Sequence, residues 1–167
     1  MLVDLYSKKI FNLAYQFAGS REEAEDLTQD IFVKLYGSLS KYDFERSFTA
    51  WFLTLARNHL IDSYRRTKWE KRQRDDFDAH AATLASADNP ERGLVLEETK
   101  RVLWEGLNLL PGDVRMAVIL KEIQGRSYEE TAEIMGLPVG TVKSRISRGR
   151  LQLAKLLRGR KESLHVV

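Results

Sequence analysis

The segment GRSYEETAEIMGLPVGTVKSRISRGR, residues 125–150, carries two helix signals separated by a breaker. Ser127 stands where an N-cap is needed, and Glu130 follows at the spacing of a capping box. Ala132 and Met135 give the short helix an apolar face. Gly136, Leu137 and Pro138 then end it, because glycine permits a positive φ and proline cannot extend the helical ladder. A second helix starts near Val139 or Gly140, with Val142, Ile146, Gly149 and Leu153 on one stripe at helical spacing. Its opposite face carries Lys143, Ser144, Ser147 and Arg148. Two short helices around a tight turn, the second with a polar basic face, make a helix-turn-helix.

From Met135 to Lys161 there are eight Lys or Arg and no acidic residue. Such a run suits an element that approaches phosphates. A helical hairpin with a solvated basic face is the plainer alternative, but the capping box, turn and acid-free run coincide, which favours DNA binding.

Composition narrows the remaining possibilities. A chain of 167 residues, 43% hydrophobic and 31% charged, suits a folded globular protein of one medium or two small domains. No apolar run is long enough to span a bilayer, and no signal-peptide pattern opens the chain, which favours the cytoplasm. Without cysteines there can be no disulfide framework or thiolate metal site, and the three histidines are scattered. No metal and no cofactor are expected. Net charge is only +3, yet it is unevenly spread. Residues 1–70 hold ten basic and ten acidic side chains, 71–110 six and eight, and 111–167 eleven and six. The C-terminal part thus suits nucleic acid, and the N-terminal part suits a further partner.

Read from the start, residues 2–17 form a helix with Leu5, Ile10, Leu13, Ala14 and Phe17 apolar, ended by Gly19. Ser20 and Glu23 make another capping box and open a helix to about Leu39, whose early acids suit the positive end of its dipole. Ala24, Leu27, Ile31 and Leu35 line one face; Asp26, Gln29, Asp30 and Val33 lie on another. Taken alone, those acids read as capping and a solvated surface. A loop at 41–47 leads to a helix from Phe48 to about Arg72, capped by Ser47. Its start is aromatic, with Phe48, Trp51 and Phe52 chiefly core; its second half is basic. Core packing and stacking against single-stranded nucleic acid both fit that pattern.

Residues 75–88, DDFDAHAATLASAD, read as an acidic linker without the glycine and terminal glutamate of a calcium loop. Asn89 and Pro90 open a new helix with Val95, Val102, Leu103, Leu107 and Leu110 inward, and Pro111 interrupts it. A further helix covers 114–123. No strand pattern is present. The expected fold class is all-α: two small helical domains, 1–74 and 90–167, joined by a flexible linker at 75–89, the second containing the helix-turn-helix.

Four stretches in this order, AEDLTQDIFVKLY (24–36), FTAWFLTLARNHLIDSYRR (48–66), LLPGDVRMAVILKEIQGRSYEETAEIMG (109–136) and LPVGTVKSRISRGR (137–150), resemble bacterial group 4 sigma factors, the extracytoplasmic-function class of the sigma-70 family. The resemblance covers most of the chain. It implies an alternative sigma factor, not an enzyme, that binds core RNA polymerase and directs initiation at promoters by recognising −35 and −10 elements. Asp26, Gln29, Asp30 and Val33 match positions that dock on the clamp coiled coil of the β′ subunit. The loop from Tyr42 through Asp43 and Phe44 to Phe48 matches one that cradles a base flipped from the −10 element, Asn58 lines that pocket, and Arg65 and Arg66 extend the surface. Trp51 also fits the pattern but is read as core. Lys143, Ser144, Ser147 and Arg148 match positions facing −35 bases, while Thr141, Arg145 and Arg150 suit phosphate contacts. The implied partners are core polymerase (β′ clamp coiled coil and β flap), promoter DNA and an anti-sigma factor, without membrane insertion.

Two departures stand out. The chain begins almost directly at its first helix, where many relatives have a longer lead. Gly149 replaces a frequent alanine, which predicts a weaker recognition helix by up to about 1 kcal/mol. The alternatives are a stand-alone helix-turn-helix transcriptional regulator and a DNA-acting recombinase. The latter needs a nucleophile among catalytic arginines that the N-terminal half does not offer.

Overall fold

Glycines and capping serines set the element boundaries in a computed structural model that describes residues 1–75 and 94–164. Helix α1 (Leu2–Ala18) ends at Gly19, whose left-handed φ of 77° lets its N–H reach the Tyr15 carbonyl. Helix α2 (Arg21–Ser38) begins at Ser20, whose hydroxyl accepts from Glu23 N–H, and runs into a 3-10 turn at Leu39–Lys41. Helix α3 (Phe48–Asp75) is capped by Ser47, the Oγ accepting from Ala50 N–H at 3.3 Å. After the undescribed residues come α4 (Leu94–Leu109), α5 (Gly112–Val118), a π-helical turn (Ile119–Ile123), α6 (Tyr128–Met135) and α7 (Val139–Leu164). No strand occurs among the described residues. The expected linker lies outside them, apart from Asp75 at the end of α3, as do the expected Asn89–Pro90 helix start and the side chain of Val95.

Most of the anticipated apolar stripes are buried, but Val102 and Leu103 of α4 and Phe48 and Trp51 of α3 are only half-buried and Leu5 is exposed. Ile10, Leu13, Ala14 and Phe17 of α1 meet Ala24, Leu27, Ile31 and Leu35 of α2, whereas Leu5 is 69% exposed. Its neighbour Tyr6 takes the inward place instead, 5.4 Å from the Phe48 ring and 5.5 Å from that of Phe52. Phe52, Leu53, Ala56 and Leu60 bring α3 into this core, where each buried large side chain contributes about 1.5–3 kcal/mol. The same core continues into Met116, Ile119, Ile134 and Val142 of the C-terminal helices. The two helical units therefore pack on each other through α3, α5 and α6, which the separate apolar stripes did not foretell. Leu107, Leu110, Val114, Val118 and Leu153 form a second cluster within the C-terminal unit.

The helix expected over 114–123 starts at Gly112, then widens: Gln124 N–H bonds the Ile119 carbonyl at 2.9 Å and Arg126 N–H the Leu120 carbonyl at 3.1 Å. No residue pattern signalled that wide turn.

Gly149 has a packing reason that sets against the expected weakness. A Cβ there would come within 2.6 Å of Val118 Cγ2 and 3.1 Å of Val114 Cγ1. Both are stiff β-branched neighbours, so the missing methyl is what lets α7 lie against α5.

Candidate functional site

The helix-turn-helix forms from local signals. Ser127 Oγ accepts from Glu130 N–H at 3.0 Å, and Glu130 Oε2 accepts from Ser127 N–H at 2.8 Å. That bond to Ser127 N–H holds the exposed Glu130 carboxyl below its ordinary range. Gly136, at φ 63°, closes α6, with Leu137 N–H on the Ala132 carbonyl and Gly136 N–H on the Glu133 carbonyl. Helix α7 then buries Val142, Ile146, Gly149 and Leu153, leaving Lys143, Ser144, Ser147 and Arg148 exposed. This is the arrangement a groove-reading helix needs: one face fixed in the core, one polar face free. Lys143 and Lys121 both approach the Tyr128 ring, at 5.3 and 4.9 Å.

The three residues matched to phosphate contacts sit differently. Thr141 and Arg145 are half-buried. Arg145 Nη1 pairs with Asp113 at 3.0 Å, so its guanidinium turns towards α5. Arg150 is exposed and bonds the Glu122 carboxylate, which raises its pKa above the ordinary guanidinium value.

In the N-terminal unit, Asp26, Gln29, Asp30 and Val33 are all exposed along one side of α2. Val33 is 71% exposed, and Tyr36 continues the stripe at 64%. These two exposed apolar side chains stand beside the carboxylates of Asp26 and Asp30 on the same helix. Tyr36, three residues after Val33, was not singled out from the sequence.

A cleft of about 560 Å³ opens between α2 and α3, lined among others by Lys34, Ser38, Lys41, Trp51, Asn58 and Asp62. Trp51, read from the sequence as core, is only half-buried and forms part of this wall. Its other contacts are rings: Tyr42 at 5.0 Å and Phe48 at 5.8 Å. Tyr42 donates its hydroxyl proton to the Arg46 carbonyl, and Asp43 Oδ1 accepts from Glu45 N–H at 3.0 Å, which shapes the loop. Phe44 is 88% exposed, held only at 5.1 Å from the Tyr42 ring. An exposed aromatic ring can stack an unpaired base, and the two lysines of the cleft can neutralise phosphates. Asn58 lies on the cleft; Tyr42, Phe44 and Phe48 do not line it, Tyr42 and Phe48 touching its wall at Trp51 and Phe44 touching only Tyr42. Arg65 and Arg66 are exposed further along α3, outside it. Lys34 and Lys41 were not anticipated; only the folded arrangement brings them opposite Trp51.

Beneath the cleft, His59 is buried, with Nε2 3.6 Å from Asp30 Oδ2, beyond hydrogen-bond distance. Desolvation lowers its pKa, helped by Lys34 and Arg66 and opposed by Asp30. Among the described residues no group of three or more His, Asp or Glu could hold a metal ion.

Comparison with known proteins agrees with this layout. The model for Sigma-70 region 2 matches residues 2–70, and that for Sigma-70, region 4 matches residues 100–153. The ECF RNA polymerase sigma factor SigW of Bacillus subtilis is 34% identical over 163 residues, covering 94% of this chain and 87% of the relative. This chain belongs to the ECF RNA polymerase sigma factors. The RNA polymerase sigma-H factor of Pseudomonas aeruginosa is also 34% identical, over 94% of this chain and 84% of its own length. Among solved structures, the sigma factor RpoE from Bartonella quintana, in complex with the anti-sigma factor NepR, matches with a TM-score of 0.69 and 29% identity over 93% of this chain and 94% of its own. The protein is thus an alternative sigma factor that directs transcription; sigma factors bind RNA polymerase and are not themselves enzymes. No described helix is long and apolar enough to cross a membrane.

Proposed function

We propose that this sigma factor divides its work between residues 1–74 and 90–167, with 75–89 as a tether. The exposed side of α2, with Asp26, Gln29, Asp30 and Val33, docks on the β′ clamp coiled coil of core polymerase, and Tyr36 extends it. The C-terminal unit meets the β flap. Helix α7 enters the major groove of the −35 element, Lys143, Ser144, Ser147 and Arg148 reading base edges. Thr141 reaches a phosphate, as do Arg145 and Arg150 once released from Asp113 and Glu122. The −10 strand is held by Tyr42, Asp43, Phe44, Phe48, Asn58, Arg65 and Arg66, with Trp51 as a wall of the base-binding cleft. Promoter DNA and core polymerase place this work in the cytoplasm, and an anti-sigma factor is the partner that restrains it.

The observation that carries the reading is the single exposed polar face of α7, opposite four buried positions on the same helix. A stand-alone regulator would need that face too, but not the acidic and apolar stripe on α2. The test is capture of core polymerase by the Gln29→Ala/Asp30→Ala chain. Retention should fall at least about tenfold with the helical spectrum unchanged, since both side chains are exposed. Undiminished capture would remove α2 from the polymerase interface.

A further inference from the structure

The buried side chain of Arg115 forms part of the wall of a cavity of about 400 Å³, bounded by α1, α2, α3 and the corner between α4 and α5. Small-molecule sites have volumes of about 300–1,000 Å³. Phe17, Leu27 and Leu60, all buried, give the cavity an apolar side. Lys68 and Lys71, about one turn apart on α3, also lie in its wall. Glu23 of α2 is the one carboxylate in the lining. Three cations less one carboxylate leave the wall with a net charge of +2.

None of these four charged groups is in an ion pair among the described residues. Arg115 is 4% exposed, and its Nη atoms donate only to backbone carbonyls, which are neutral. Its Nε–H meets no acceptor among the described residues. A buried cation without a counter-charge is costly, because its hydration is lost and nothing of opposite sign replaces it. Lys68 adds to that charge: its Nζ lies 5.8 Å from the Tyr64 ring centroid, and Arg115 Cζ lies 4.7 Å from the same point. Two cations beside one ring repel each other, and an anion in the adjoining cavity would attract both.

We propose that this cavity binds a small phosphate monoester with an apolar or aromatic body, the phosphate at Lys68 and Lys71 and the body against Phe17 and Leu60. A monoester carries about −1.5 to −2 charges at pH 7, which balances the wall, whereas a carboxylate supplies only about half of that. Inorganic phosphate matches the charge but leaves the apolar side unmet and most of the volume unfilled. The site is independent of the promoter-reading assignment, since it shares no residue with α7, with the cleft beside Trp51 or with the exposed side of α2 at Asp26, Gln29, Asp30 and Val33.

The test is titration of the full chain with phenyl phosphate, followed through its backbone amide resonances. Shifts at Ser63, Thr67 and Lys68 should saturate, with none comparable at residues 143–148 of α7. Inorganic phosphate should act on the same amides about tenfold more weakly, for want of the buried ring. Lys68→Ala/Lys71→Ala alters two exposed side chains and should weaken phenyl phosphate binding at least about tenfold with the helical spectrum unchanged. Glu23→Gln removes the opposing carboxylate and should tighten it. Shifts confined to α7, binding indifferent to the lysine pair, or no saturation by about 10 mM phenyl phosphate would overturn the proposal. Inorganic phosphate binding as tightly as the ester would overturn it too, because the apolar side would then play no part.

Discussion

Arg115 Nη1 lies 3.0 Å from the Phe17 carbonyl oxygen, while Nη2 of the same guanidinium bonds the carbonyls of Asn108 at 2.7 Å and Leu110 at 3.2 Å. One buried side chain thus serves the C-terminal ends of α1 and α4 together. The guanidinium also lies against the rings of Phe17 and Tyr64, at 5.2 and 4.7 Å from their centroids. Desolvation lowers its pKa, yet these acceptors and ring faces keep it charged.

Replacing that group should therefore cost more than a surface arginine does. Arg115→Met keeps much of the apolar bulk but strips three carbonyls of their donor, and should destabilise the chain by about 2–4 kcal/mol. Arg115→Lys should recover only part, because one ammonium cannot reproduce the planar fork. Urea denaturation of the three proteins measures this. A loss under about 0.5 kcal/mol for Met would mean that the carbonyls find other donors.

Gly149→Ala has two opposed effects. Helix propensity favours alanine by about 1 kcal/mol, whereas the added methyl collides with Val118 and Val114. Overpacking of a filled site costs about 1–3 kcal/mol, so the net change should be destabilising. The thermal midpoint should drop; a rise would show that α5 yields freely.

Stability should also depend on His59. Its folded pKa lies below the ordinary imidazole value of 6.5 because burial disfavours the charged form. Below pH 6.5 the unfolded chain binds a proton that the folded chain does not, so this contribution is full above that pH and is lost as pH falls towards the folded pKa. Glu130, also depressed, adds its loss further down, below its ordinary 4.5. Between pH 7.5 and 5.5 the native chain should lose stability more steeply than His59→Gln. Equal slopes would place the effect elsewhere.

What the sequence made legible was local. Ser20 and Ser127 as caps, Gly19 and Gly136 as left-handed stops, and the buried stripes of α2 and α7 all depend on neighbours within a turn or two, so spacing alone reveals them. Arg57 and Arg115 looked like ordinary basic residues because the acceptors that tie them to the other unit, Ile134 and Phe17, lie 77 and 98 residues away along the chain. Trp51 packs against the core as read, but its second role as a cleft wall was hidden for a related reason. Helical spacing puts it on an aromatic stripe, but whether a neighbour covers that stripe depends on how α2 and the 42–47 loop pack. Gly149 read as a weakness until Val118 was seen against it.

Recognition by α7 makes a base-specific prediction. Arg148 is exposed one turn beyond Ser144, and a guanidinium in the groove can bond a guanine edge twice, worth about 1–3 kcal/mol of discrimination. Arg148→Ala should lower transcription and relax preference at one or two positions of a −35 library read at fixed salt. Lys155→Ala, exposed further along α7, should cost little and change no base preference. An unaltered base profile for the Arg148 variant would mean that another face of α7 enters the groove.

The most direct measurement is run-off transcription by core polymerase on a fragmented genomic template, with and without this protein. Core alone should give only background ends. With the protein added, discrete transcripts should start a fixed distance downstream of shared −35 and −10 sequences, and the Gln29→Ala/Asp30→Ala chain should restore background. Transcripts unchanged by the protein, or starts that share no upstream sequence, would contradict its assignment as a promoter-specificity subunit.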